Sequence, residues 1–108
     1  MTRYRVYHAT DLMQMFFHDE TQWQSHRETR YQRVAEVEAT KEDHPLDQVF
    51  VLTNHDDECA WMEHLEVIWY DATRLLRSTS VGDVVTNPVT HDAWMALPFG
   101  WRKVGKEP

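Results

Sequence analysis

This chain contains one cysteine, three glycines and four prolines among its 108 residues. The single cysteine, Cys59, excludes an internal disulfide bond, whereas a small secreted domain usually needs such bonds. The scarcity of glycine and proline argues against a low-complexity chain. No apolar run approaches the roughly 18 residues of a membrane span, and the N-terminal residues lack the apolar stretch of a signal peptide. The composition therefore predicts a cytoplasmic protein with no membrane partner.

Acidic residues outnumber basic ones and concentrate in the middle of the chain. The formal net charge is −7, and residues 41–66 carry one lysine against eight acidic residues. A negative field repels a phosphate backbone, which counts against nonspecific binding to nucleic acid. Two interpretations of the acidic segment stay open: a solvated surface, or a surface that binds a basic partner.

The hydrophobic pattern predicts an α+β domain with two short helices packed on a small, curled, mostly antiparallel sheet that ends in a β-meander. Alternation and β-branched or aromatic residues predict the strands, and apolar residues at i, i+3 and i+4 predict the helices. The predicted strands are 3–9, 31–39, 67–71, 93–98 and 100–104, and the predicted helices are 11–18 and 45–53. The polar stretch 19–30 fits either a helical extension or a loop. We expect one domain over residues 1–104 and a frayed tail over 105–108.

The stretch RSTSVGDVV at residues 77–85 predicts a turn that leads into a strand. It lacks the lysine of a P-loop and the Gly-x-Ser-x-Gly spacing of a nucleophile elbow. Glycine adopts a positive φ without strain, and aspartate and serine side chains hydrogen-bond to loop backbone groups. The predicted structural-turn residues are Arg77, Ser78, Ser80, Gly82 and Asp83.

The same stretch, followed by PFGWRKV at 98–104 and preceded by VFVLTNHDDECAW at 49–61, resembles YodL-like domains. These small domains belong to phages, plasmids and conjugative elements. The resemblance covers about residues 49–104 and implies an accessory protein of a mobile genetic element inside a bacterial cell. It implies no catalytic activity.

The charge distribution together with this resemblance predicts a non-enzymatic protein that binds and modulates a bacterial host protein, such as a defence or nucleic-acid-processing factor, through its acidic surface. An exposed tryptophan next to such a surface is a typical binding anchor. Trp23 and Trp61 each fit either an anchor or a pinned loop, whereas Trp69 is predicted to be in the core. The predicted partner-binding residues are Asp56, Asp57, Glu58, Trp61 and Glu63.

Two alternative functions remain. Arg3, Arg5, Arg27, Arg30 and Arg33, interleaved with Tyr4, Tyr7 and Tyr31, fit a nucleic-acid-binding module, because arginines and aromatic rings grip single strands. A small enzyme is the second alternative, although no motif surrounds Cys59 or the His55–Asp57 pair. Scattered histidines do not give the paired spacing of a zinc site. No catalytic residue, metal or cofactor is predicted, and the chain is expected to be a monomer or a homodimer.

Overall fold

The structure, a computed structural model, describes residues 2–10, 20–40, 43–55, 60–73 and 76–107. Six strands are present among them: β1 (Thr2–Ala9), β2 (Tyr31–Ala39), β3 (Val67–Tyr70), β4 (Val84–Thr86), β5 (Asp92–Leu97) and β6 (Gly100–Lys106). Two helices accompany them, α1 (Glu20–His26) and α2 (Pro45–Leu52), together with a short 3-10 helix at Trp61–Glu63. None of the helices within the described ranges has the length and apolar character that crossing a membrane requires.

The strands form one sheet in the order β3-β2-β1-β4-β5-β6, with every neighbouring pair antiparallel. Successive side chains on a strand point to opposite faces, so Val84 and Val85 lie in two different buried clusters. One cluster includes Val49 of α2, and the other includes Trp23 of α1. In the described part of the chain, α2 therefore packs on one face of the sheet and α1 on the other.

The α+β class predicted from the sequence is wrong, because the sheet dominates the structure. The two helices contain only seven and eight residues. The predicted helix over 11–18 lies outside the described residues, whereas α1 forms in the polar stretch that follows it. Among the described side chains of α1 and α2, Trp23 and Val49 are the ones buried in the core, so each helix adds little buried surface compared with the six-stranded sheet.

Trp23 packs helix α1 against the sheet, although the residues next to Trp23 in the sequence are polar. Its ring makes edge-on contacts with Tyr7 and Tyr31 at centroid distances of 5.2 Å and 5.1 Å. Its indole N–H donates to the Lys106 carbonyl over 2.9 Å. A buried aromatic ring with its polar atom satisfied is a strong packing element, which explains why a helix forms here.

The predicted frayed tail is wrong for residues 105–107. Strand β6 continues to Lys106, and the side chain of Glu107 is buried. The Glu107 carboxylate accepts hydrogen bonds from Thr86 Oγ1 at 2.6 Å and from Arg5 Nη1 at 3.0 Å. A buried carboxylate needs such partners, and they hold the end of the chain against β1 and β4. Pro108 lies outside the described residues.

Candidate functional site

The most densely bonded polar group in the loop before β4 is the carboxylate of Asp83. Its Oδ1 atom accepts from the Ala9 backbone N–H at 2.9 Å and from Arg77 Nη2 at 2.8 Å. Its Oδ2 atom accepts from Arg77 Nη1 at 2.6 Å and from the Ser80 backbone N–H at 2.7 Å. Four donors thus surround a fully buried carboxylate, two of them in the bidentate geometry that favours an Arg–carboxylate pair.

Gly82 makes the chain reversal that places Asp83 in this position. Its φ is 94°, in the region that only glycine adopts without strain. The Asp83 N–H donates to the Ser80 carbonyl at 3.0 Å, and the Gly82 N–H donates to the Ala96 carbonyl at 2.8 Å. The turn is therefore fixed to β5 through its backbone, while the Asp83 side chain reaches the end of β1.

His8 extends this network on the β1 side. Its Nε2 atom is hydrogen-bonded to Thr79 Oγ1 at 2.9 Å and lies 3.9 Å from Asp83 Oδ2. Burial lowers the pKa of His8 to about 4, and the positive charge of Arg77 acts in the same direction against the opposing effect of Asp83. The imidazole is consequently neutral at pH 7.

The His8–Thr79 pair has the composition of a base next to a hydroxyl nucleophile, and a groove of about 320 Å³ opens beside His8 and Arg77. However, Thr79 is buried, and its backbone N–H is bonded to the Thr53 carbonyl at 2.9 Å. The guanidinium of Arg77 is occupied by Asp83 and by the carbonyls of Ala9 and Ser78. These contacts form a network that holds β1 to the turn, and both members of the His8–Thr79 pair are buried.

Trp61 is fully buried, so the prediction that it contacts a partner is wrong. Its indole N–H donates to the Arg77 carbonyl at 3.0 Å, and its backbone N–H donates to His55 Nδ1 at 3.3 Å. With Nδ1 accepting, the ring proton of His55 is on Nε2, which lies 3.0 Å from the Leu76 carbonyl. The Trp61 side chain therefore attaches the 3-10 helix of the acidic segment to the backbone at Arg77, and it does not face solvent.

Of the other predicted partner-binding residues, Glu63 is exposed on the 3-10 helix. Asp56, Asp57 and Glu58 lie outside the described residues. Asp43 and Asp47 are further exposed acids of the same segment, and Glu66 is half-buried at its end. In the part of the chain that the structure describes, no three histidine, cysteine, aspartate or glutamate side chains form a group that could hold a metal ion.

Trp69 is 42% exposed, so its predicted place in the core is wrong. The reason is its strand, because β3 is at one end of the sheet and only β2 pairs with it among the described strands. The guanidinium of Arg33 lies over the Trp69 ring, 5.2 Å from its centroid. Ile68 and Tyr70 are also exposed, which gives β3 a row of large apolar side chains in solvent.

The aromatic residues predicted for nucleic-acid contact are inside the protein. Tyr4, Tyr7 and Tyr31 are buried, and burial together with the charge of Asp83 raises the pKa of Tyr31 to about 12. Arg5 forms an ion pair with Glu107. Buried rings cannot stack on bases, so this cluster does not provide the surface that the nucleic-acid alternative needs.

Sequence reasoning missed His8, Thr79, Thr86 and Glu107 as members of buried polar networks. Strand alternation carried a signal for one of them, because His8 shares a strand face with Tyr4 and Val6, which are both buried. Glu107 gave no such signal. Its partner Arg5 is 102 positions away in the chain, and a charged tail normally indicates solvent exposure.

Comparison with protein-family models, with curated proteins and with solved structures found no match to this chain. The YodL-like resemblance of residues 49–104 therefore stays a prediction based on its quoted motifs.

Proposed function

We propose that this chain is a non-enzymatic accessory protein of a phage or plasmid that binds a basic surface of a bacterial host protein. The binding surface is the acidic segment, residues 42–66. The observation that carries the proposal is the contrast in how the acids of this chain are used. Buried Asp83 and Glu107 are each paired with an arginine, whereas Asp43, Asp47 and Glu63 are exposed to solvent.

The segment has no internal countercharge. Residues 42–66 contain no lysine and no arginine, so their carboxylates have no fixed cation within the segment. An uncompensated negative surface accelerates and orients the approach of a positive one, with an effect that falls as salt is added. This supports a basic partner and argues against a phosphate backbone, which carries the same sign of charge.

The genetic setting rests on the YodL-like motifs. Those motifs include the turn residues Arg77 and Asp83, whose ion pair orders the loop. Trp61 of the acidic segment is joined to this loop, because its indole N–H donates to the Arg77 carbonyl. Action inside a bacterial cell is part of the proposal.

Affinity capture from bacterial lysate tests this function, with mass spectrometry as the readout. The variants are Glu63→Lys and the triple variant Asp56→Lys, Asp57→Lys, Glu58→Lys. The matched control for Glu63→Lys is Glu28→Lys, which makes the same charge change at an exposed position near the other end of β2. We expect one stoichiometric partner that wild type and Glu28→Lys retain, that both other variants lose, and that added salt releases. A partner retained by all variants, or no stoichiometric partner, would contradict the proposal.

A further inference from the structure

The two edges of the sheet are treated differently by the fold. At β6, helix α1 lies against the strand, and Trp23 and Gln24 donate side-chain hydrogen bonds to the carbonyls of Lys106 and Val104. The exposed side chains of that strand include Arg102, Lys103 and Lys106. Covering elements and charges of this kind protect a sheet edge from pairing with another chain.

The β3 edge has neither kind of protection among the described residues. Its sequence, VIWY, contains no charged residue and no proline. Ile68, Trp69 and Tyr70 are each about 40% exposed, and no described strand pairs with β3 on its outer side. A strand of this composition at an open edge is a template for another extended segment.

Acidic residues frame this edge on both sides. Glu66 precedes β3 and Asp71 follows it. On the neighbouring strand, Glu36 is the register partner of Trp69, and the Glu38 N–H donates to the Glu66 carbonyl at 2.8 Å. Acidic side chains therefore lie at both ends of β3 and on its inner neighbour, while the positive charge of Arg33 lies over the Trp69 ring in the middle of the strand.

This charge pattern distinguishes between the two obvious occupants of the edge. Antiparallel pairing of two β3 strands about their middle brings Glu66 of one copy beside Asp71 of the other, and opposed like charges destabilise a strand pair. A partner strand with a basic residue at each end places unlike charges there in either strand direction. Charge complementarity thus favours a basic-flanked segment over a second copy of this chain.

We propose that the outer edge of β3 docks an extended segment of the partner, with apolar residues in its middle and lysine or arginine at both ends, as a seventh strand. Main-chain hydrogen bonds to the edge supply affinity in this mode of recognition, and the flanking charges supply specificity. The inference rests on the proposed function, since it names the part of the basic partner that binds.

Fluorescence anisotropy with a labelled peptide that alternates valine and threonine between terminal lysines tests the inference. Two matched peptides serve as controls: one with terminal glutamates, and one with alternate backbone amides methylated so that it cannot pair as a strand. We expect both controls to bind at least about tenfold more weakly than the lysine-flanked peptide. Equal binding of all three peptides, or no binding of the lysine-flanked one, overturns the inference.

Protein variants locate the binding to β3. Ile68→Lys and Tyr70→Lys place a charge on the edge, and Val89→Lys makes the same kind of change at an 82% exposed position between β4 and β5. We expect the two edge variants to lose the peptide at unchanged melting temperature and Val89→Lys to retain it. If Ile68→Lys binds the peptide with wild-type affinity, the inference is overturned. It is also overturned if wild type sediments as a dimer and Ile68→Lys sediments as a monomer, because a second copy of the chain then occupies the edge.

The lysate experiment separates this inference from the function on which it rests. If Ile68→Lys retains the captured partner and Glu63→Lys loses it, the edge is not the docking strand and the acidic-surface function stands. If both variants retain the partner, both proposals fail.

Discussion

Carboxylates near the C-terminal end of this chain and carboxylates in its middle have opposite environments. Asp83 and Glu107 are buried and paired with Arg77 and Arg5, whereas Glu63 is exposed in a segment that contains no lysine or arginine. Burial of a charge is unfavourable unless a partner and further hydrogen bonds compensate for lost water. We therefore expect the fold to lose stability when a partner of the first group is removed, whereas the proposed function assigns the second group to partner binding.

The two buried carboxylates also differ in how far away their partners are. Arg77 is six positions from Asp83, so that ion pair closes a short loop, whereas Arg5 is 102 positions from Glu107. The short loop orders a turn, and the long one ties the two ends of the chain together. The following predictions test the buried pair at Asp83 and the histidine and turn that adjoin it, from the largest expected effect to the smallest.

Replacing Arg77 by alanine should have the largest effect on stability. The change leaves the Asp83 carboxylate buried without its counterion and removes a hydrogen bond to the Ala9 carbonyl. Removing one partner of a buried pair destabilises a protein by about 3–5 kcal/mol, which urea unfolding would measure. Arg102→Ala on the exposed side of β6 is the control and should stay within about 0.5 kcal/mol of wild type. Equal losses in the two variants would mean that the Asp83 pair does not stabilise the fold.

The buried His8 should make stability depend on pH below neutrality. Its pKa is about 4 in the folded protein, below the ordinary value of 6.5. The unfolded chain then binds the proton first, so the stability is fully present above pH 6.5 and falls as the pH drops through 6.5 toward 4. The loss by pH 4 should be about 3 kcal/mol.

Urea unfolding between pH 4 and 7 measures this dependence. The control is His8→Gln, which cannot titrate and should show a flatter profile in that window. The same slope in both proteins would assign the pH dependence to other groups.

Replacing Gly82 by valine should destabilise the protein by about 1–3 kcal/mol, because a β-branched residue is strained at a positive φ. The φ of 94° at this residue is the basis of the expectation. A thermal melt measures the change. Ser80→Ala, in the same turn, is a comparison that keeps the backbone free of this strain, and a melting temperature of Gly82→Val equal to wild type would count against the turn geometry.

Local features of the structure could be predicted from the sequence, because they depend on neighbouring residues. Alternation indicates the strands that became β1 and β2, and the structure confirms both within one residue. The i, i+3 and i+4 spacing after Pro45 indicates α2, which the structure also contains. The relative amounts of strand and helix could not be predicted in this way, because α1 is held by contacts of Trp23 with strands that are distant in the chain.

The tryptophans show most clearly where prediction of burial from local sequence fails. Trp61 lies in a polar segment and is buried, whereas Trp69 lies in an apolar strand and is exposed. Local hydrophobicity predicts that Trp69 is buried, because an apolar run is typical of a strand with neighbouring strands on both sides. Whether β3 is central or at an edge depends on strand order, which no short window of sequence contains. The same holds for Glu107, whose burial depends on Arg5 and Thr86.

The most direct test of the account compares the same chemical change in the two groups of acids. Asp83→Asn and Glu63→Gln each remove one negative charge and keep the size of the side chain, and both can be measured by urea unfolding beside wild type. We expect a loss of about 2–4 kcal/mol for Asp83→Asn, because Arg77 is left partly buried without its counterion, and a change within about 0.5 kcal/mol for Glu63→Gln. Equal effects in the two variants, or a larger loss for Glu63→Gln, would contradict the account.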